Sequence, residues 1–141
     1  MSLDETRTAA VHFAGCASAH AFCHQDAAIR KWLAYSIENG ATVYVSSLTL
    51  AEVVTGGSRD VNLNRVLKAM VTVQVSDGIA RSAGVLRVAA RDSRRKARDL
   101  TVDAIVAATA LILPKPVIVL TGDPHDIRLL LGDSEIAVSS V

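Results

Sequence analysis

Aromatic residues are scarce in this chain: one Trp, two Tyr and two Phe, 4% of the total. That argues against the base-stacking platforms of single-strand-binding sheets and barrels. Two cysteines are too few for a disulfide framework. Charge of one sign is also missing. Lys and Arg total 15 against 14 Asp and Glu, a net charge of +1, so any case for nucleic-acid binding must rest on a local patch. No stretch reaches the roughly 18 consecutive apolar residues of a membrane helix. Met1 to Thr8 is polar and mixed in charge, with no apolar run behind a basic start, which argues against a signal peptide. The expectation is a reduced, soluble, cytoplasmic protein without a membrane partner.

What is present is a globular composition. Half of the 141 residues are hydrophobic and 21% are charged. This length fits one domain with a self-sufficient core. Residues 1–9 read as a flexible tail and 10–141 as the domain.

Periodicity gives alternating elements. Val11 to Phe13 starts a short buried strand. Asp26 can cap a helix whose apolar face is Ile29, Trp32, Leu33 and Ile37, closed by Asn39-Gly40. Val43-Tyr44-Val45 is β-branched and aromatic, hence a strand. Ser47 or Thr49 can cap a helix over 50–54, which stops at Gly56-Gly57, and 60–70 is a further helix. Val71, Val73 and Val75 alternate with polar residues at strand period. Ser76-Asp77 caps a long helix through Ala90, and Thr101 caps one over 102–113 that ends at Pro114 and Pro116. Val117 to Leu120 is a continuous apolar strand suited to the middle of a parallel sheet. Pro124 sits at N1 of a last helix, and Ile136 to Val138 is an edge strand. Strands alternating with helices predict an α/β sandwich with a mostly parallel central sheet. In such sheets ligands bind beyond the carboxyl ends of the strands.

Three acids fall at those ends. Glu52 lies in the first turn of the predicted helix after the strand at 43–47, Asp103 in the first turn of the 102–113 helix, and Asp123 just after the strand at 117–121. Glu52 and Asp103 stand inside apolar runs, where an unpaired charge is costly. Taken singly, an acid in a first helical turn is explained by the macrodipole alone. Three converging carboxylates would instead hold a hard cation such as Mg²⁺ or Mn²⁺, which can activate water and polarise a phosphodiester.

Three segments carry a resemblance: 45–53 (VSSLTLAEV), 101–110 (TVDAIVAATA) and 119–127 (VLTGDPHDI). In order and spacing they resemble the PIN-domain family, specifically the small VapC-type ribonuclease toxins, over roughly residues 10–139. The resemblance implies a PIN-like α/β/α sandwich and Mg²⁺- or Mn²⁺-dependent cleavage of RNA. It implies a cognate antitoxin as partner, and self-association as a homodimer is expected from aliphatic helix faces such as Ile29, Trp32 and Leu33. The family's acids map onto Glu52, Asp103 and Asp123, and its Thr or Ser before the last acid onto Thr121, which would orient a water or a ligand carboxylate. Asp126 is an additional, outer acid. One position departs: Cys16 stands where the family's first Asp belongs, with Ser18 two residues on. A thiol is a poor Mg²⁺ ligand, so impaired hydrolysis is expected.

Cys16, His20 and His24 are spaced i, i+4, i+8, with Cys23 beside them. On one helix they would form a partial Zn²⁺ site; core filling by small residues and cysteine is the preferred reading. Arg91, Arg94, Arg95, Lys96 and Arg98 precede Asp103 closely. Arg94, Arg95 and Lys96 are candidates to hold an RNA backbone, set against a merely solvated charge run interrupted by Asp92 and Asp99. The leading expectation is a metal-dependent endoribonuclease. The alternative is a catalytically degenerate domain that binds RNA or an antitoxin. A strand-end phosphoacceptor domain is weaker, because paired acids after the first strand are absent.

Overall fold

The computed structural model describes residues 10–14, 27–58, 60–91 and 99–141. These residues contain five strands: β1 (Ala10–Ala14), β2 (Thr42–Ser46), β3 (Val71–Val73), β4 (Val117–Thr121) and β5 (Ala137–Ser140). Six helices connect them: α1 (Ala27–Glu38), α2 (Ser47–Val53), α3 (Asp60–Leu67), α4 (Asp77–Arg91), α5 (Thr101–Ile112) and α6 (Pro124–Leu131). The strands form one sheet in the order β3-β2-β1-β4-β5, and every pairing is parallel. The expected α/β class with a parallel sheet is observed.

Side chains alternate across the sheet, as the pleat requires. On β4, Val117 and Val119 join a core with Ile79, Ala83, Ala104, Ala107 and Ile127, contributed by α4, α5 and α6. Ile118 and Leu120 join Val43, Trp32 and Leu33 on the opposite face, where α1 packs. β4 therefore reads as an unbroken apolar run because helices cover it on both sides. α5 is almost wholly apolar, and its buried Ala104, Ala107, Ala108 and Ala110 are small enough for close helix–sheet approach. The buried Thr109 hydroxyl is satisfied by the Ile105 carbonyl at 2.7 Å.

Local chemistry explains most element ends. α1 closes in a Schellman motif. Ala41 N–H donates to Ser36 O and Gly40 N–H to Ile37 O, with Gly40 at φ 68°. α4 opens on Ser76, whose Oγ accepts Ile79 N–H at 3.2 Å, as expected. Pro124 occupies the start of α6 with Asp123 as cap.

Several boundaries differ from expectation. α2 begins directly at Ser47, because the preceding Ser46 caps it by accepting Leu48 N–H. α3 ends at Leu67 and β3 is three residues long. Thr101 is the first residue of α5 rather than its cap; the cap position is Leu100, and Asp99 just before it takes the first helical amide. Asp99 Oδ1 accepts the Thr101 N–H at 2.9 Å and the Thr101 hydroxyl at 2.5 Å. On α1 the inward positions are Trp32, Leu33 and Ser36, and Ile37 is exposed. Ser36 continues the inward stripe at helical spacing. Its hydroxyl donates to Trp32 O at 2.7 Å. The last strand lies at 137–140, slightly beyond the expected segment, and is an edge strand as expected. The expected tail and the Asp26 cap lie outside the described residues. Among the described residues no helix is long and apolar enough to cross a membrane.

Candidate functional site

In the order β3-β2-β1-β4-β5 the chain progresses one way from β1 and the other way from β4. The connections leaving these two neighbours diverge, which opens a crevice at their carboxyl ends. The two strands end level, Ala14 pairing with Thr121. The end of β4 is firmly held. Thr121 is buried, its carbonyl accepts Val141 N–H at 3.1 Å, and its Oγ1 accepts Asp123 N–H at 3.1 Å. Thr121 thus fixes the backbone that carries Asp123. It acts on Asp123 through the main chain.

Asp123 is half-buried and caps α6, its Oδ1 accepting Asp126 N–H at 3.4 Å. Asp126, expected as an outer acid, is 2% exposed in the first turn of α6.

Asp103 reaches the same edge for a geometric reason. α5 is about 18 Å long and β4 about 16 Å at their standard rises. A short connector joins the end of α5 to the amino end of β4, so the start of α5 returns to the carboxyl edge. Asp103 lies in that first turn and is half-buried.

Glu52 follows β2 and is exposed. The early start of α2 moves it from the expected first turn to the last turn of the helix, so the macrodipole does not explain it. Ser47 Oγ accepts Val75 N–H at 3.2 Å, anchoring the start of α2 to the segment after β3. One turn before Glu52, Thr49 is buried and its hydroxyl has no partner among the described residues. Nothing in the residue pattern signals this, since the Ser/Thr-rich stretch reads equally well as caps.

Topology therefore sets the starts of α2, α5 and α6, the helices that carry or are capped by Glu52, Asp103 and Asp123, at one edge of the sheet. Each of these acids, and Asp126, is engaged in an interaction. No three His, Cys, Asp or Glu side chains among the described residues stand together as a ready-made metal cage. The expected set of Glu52, Asp103, Asp123 and Asp126 is thus not assembled into a closed cluster. Glu52 projects from the exposed end of α2 and Asp126 is buried. Cys16, His20, Cys23 and His24, and the basic Arg94, Arg95 and Lys96, lie outside the described residues.

Two further acids, not singled out in the sequence as functional, organise the approaches. Asp60 gathers the loop after α2: its carboxylate accepts Thr55 N–H, the Thr55 hydroxyl at 2.9 Å and Gly56 N–H at 2.7 Å. The Thr55 amide first, then the Thr55 hydroxyl and the Gly56 amide, hold its carboxyl below the usual carboxylate range against an opposing effect of burial. Asp99 is held low likewise by the hydroxyl and amide of Thr101, with Arg87 adding to the effect.

No family model matches the chain, and no curated protein matches it significantly. Solved structures do. The fold is similar to that of a chain in the crystal structure of VapBC2 from Rickettsia felis bound to a DNA fragment from their promoter. The TM-score is 0.70 at 15% identity, covering 92% of this chain and 98% of that one. It is also similar to FitAcB from Neisseria gonorrhoeae, with a TM-score of 0.63 at 17% identity, covering 91% and 95%. At such identities the likeness establishes the fold alone. The resemblance to PIN-domain, VapC-type ribonuclease toxins is accordingly corrected. No family model takes in the three acidic segments, and what these neighbours share with the chain is a parallel α/β architecture over nearly its whole length.

Proposed function

We propose that this protein is a metal-dependent endoribonuclease of a toxin–antitoxin pair, using Glu52, Asp103 and Asp123 with Mg²⁺ or Mn²⁺. The observation that carries the reading is that the helices that carry or are capped by Glu52, Asp103 and Asp123 all begin at the carboxyl edge of the sheet, where the β1/β4 crevice opens. The structural neighbours, from the VapBC and FitAB systems, support the toxin–antitoxin context. They also support a cognate antitoxin as partner; a homodimer is the proposed assembly.

The donor set suits Mg²⁺. This ion keeps several waters and is commonly held by one or two carboxylates plus substrate phosphate, so a complete protein cage is not required. When bound, such an ion polarises the phosphodiester and makes water a better nucleophile at neutral pH. The chain's own residues do the rest. Thr121 fixes the Asp123 backbone through its hydroxyl, Asp103 stands in the first turn of α5 and Glu52 in the last turn of α2. Negative side chains repel an RNA backbone, so cations at the rim must admit it.

A second reading is a binding module for RNA or for an antitoxin. It is favoured by Cys16, a thiol two residues beyond the end of β1 in sequence, and by the lack of a three-carboxylate cage among the described residues. Cleavage of single-stranded RNA with Mg²⁺, compared between the natural chain and Glu52→Gln, separates the two. Turnover that stops with the substitution and with chelator supports the nuclease. RNA binding without turnover in either protein supports the module.

A further inference from the structure

We infer that Arg87 is a phosphate-binding residue for the RNA substrate, held at the rim of the acidic edge by Thr101 and Asp99; this rests on the nuclease reading. Arg87 lies on α4 and donates from Nη1 to Thr101 Oγ1 at 3.1 Å. Thr101 is the first residue of α5, two positions before Asp103. A hydroxyl has one proton, and that of Thr101 goes to Asp99 Oδ1 at 2.5 Å. Thr101 must therefore accept from Arg87, and the chain Arg87 to Thr101 to Asp99 has one direction. Asp99 takes the Thr101 amide as well, so it is already provided with donors. Among the described residues no direct ion pair joins it to Arg87.

The result is an oriented guanidinium that, among the described residues, is hydrogen-bonded towards Asp99 through a hydroxyl and acts on it directly only by its charge. Among the described residues one of its five N–H donors is engaged, and the fork geometry suits a phosphate. A long, exposed side chain normally loses rotamer freedom when it captures a ligand. Here the Thr101 bond has already restricted it. The position is also apt. The cation stands at the helix end that carries Asp103, beside carboxylates that would otherwise repel a polyanion, and Arg91 lies one turn further along the same helix. A plain tie between α4 and α5 is the competing role, and it differs in what its loss would change.

The test uses full-length protein in the Glu52→Gln background, where the nuclease reading expects no turnover, and a fluorescent single-stranded RNA. Anisotropy gives affinity at several salt concentrations, and a thermal melt reports folding. Arg87→Gln is expected to weaken binding about tenfold at low salt and to reduce the slope of log K against log salt by about 0.7. Arg87→Lys should restore the slope and part of the affinity. Thr101→Val, which breaks the tie but keeps the charge, should retain the slope. If the parent binds RNA and Arg87→Gln binds it equally with the same slope, this inference is overturned alone. Equal losses of affinity, slope and melting temperature in Arg87→Gln and Thr101→Val also overturn it, since they show only a structural tie. A parent that neither binds nor, with Glu52 restored, cleaves RNA overturns the nuclease reading and the inference with it.

Discussion

Replacing Thr121 with Val tests whether the end of β4 holds Asp123 as described. The side chains are similar in size, and Thr121 is 2% exposed, so packing changes little. The hydroxyl, however, is the acceptor of the Asp123 amide at 3.1 Å. Removing it strips a partner from a partly buried donor, at a cost of about 1–2 kcal/mol. For a chain of this length that lowers the melting temperature by about 3–8 °C. The functional consequence should be larger than the stability loss. In the proposed nuclease Asp123 is an ion ligand, and loss of a group that positions a ligand costs about 10–100-fold in metal affinity or activity. Thr121→Ser keeps the hydroxyl and should retain most of both. Differential scanning calorimetry and Mg²⁺-dependent RNA cleavage read the two quantities. A Val variant with unaltered melting and unaltered Mg²⁺ dependence would refute the reasoning, as would a Ser variant as impaired as Val.

The remaining predictions concern other parts of the molecule. Asp60 contributes stability above its unfolded pKa that is lost as pH falls through its depressed folded value. Acid melting of the natural chain should therefore be steeper below about pH 4 than that of Asp60→Asn, and identical acid limbs would contradict this sign. Thr49→Val removes a buried hydroxyl that lacks a partner among the described residues. It should be neutral or stabilising by about 1 kcal/mol in chemical denaturation; a clear loss of stability would show that the hydroxyl is satisfied. Gly40→Ala keeps open space around the new Cβ but forces a left-handed conformation at φ 68°. A loss of about 1–2 kcal/mol is expected in the same assay, and no loss would refute the strain argument.

Local chemistry was legible in the residues themselves. Val117 to Leu120 had to be buried on both faces, since a continuous apolar run leaves no solvent side, and the structure covers both. Gly40, Ser76 and Pro124 mark element ends through interactions within a few residues, so they read correctly. Ser46 as a cap, and Asp99 as the acceptor of the first amide of α5, escape notice because neighbouring Ser and Thr residues offer equivalent chemistry. Ser36 and Ile37 exchange roles because they lie about 100° apart on opposite flanks of the expected stripe, and only the partner surface chooses which flank is buried.

By itself, then, the sequence determined an alternating α/β chain with three acids near strand-to-helix junctions, because periodicity and capping act over a single turn. The tertiary structure decided which strands are neighbours. Only the order β3-β2-β1-β4-β5 sets Ala14 level with Thr121, brings the start of α5 back to that edge, and buries Asp126 while leaving Glu52 exposed. Those outcomes depend on hydrogen bonds and contacts between distant segments, which no local pattern of residues specifies.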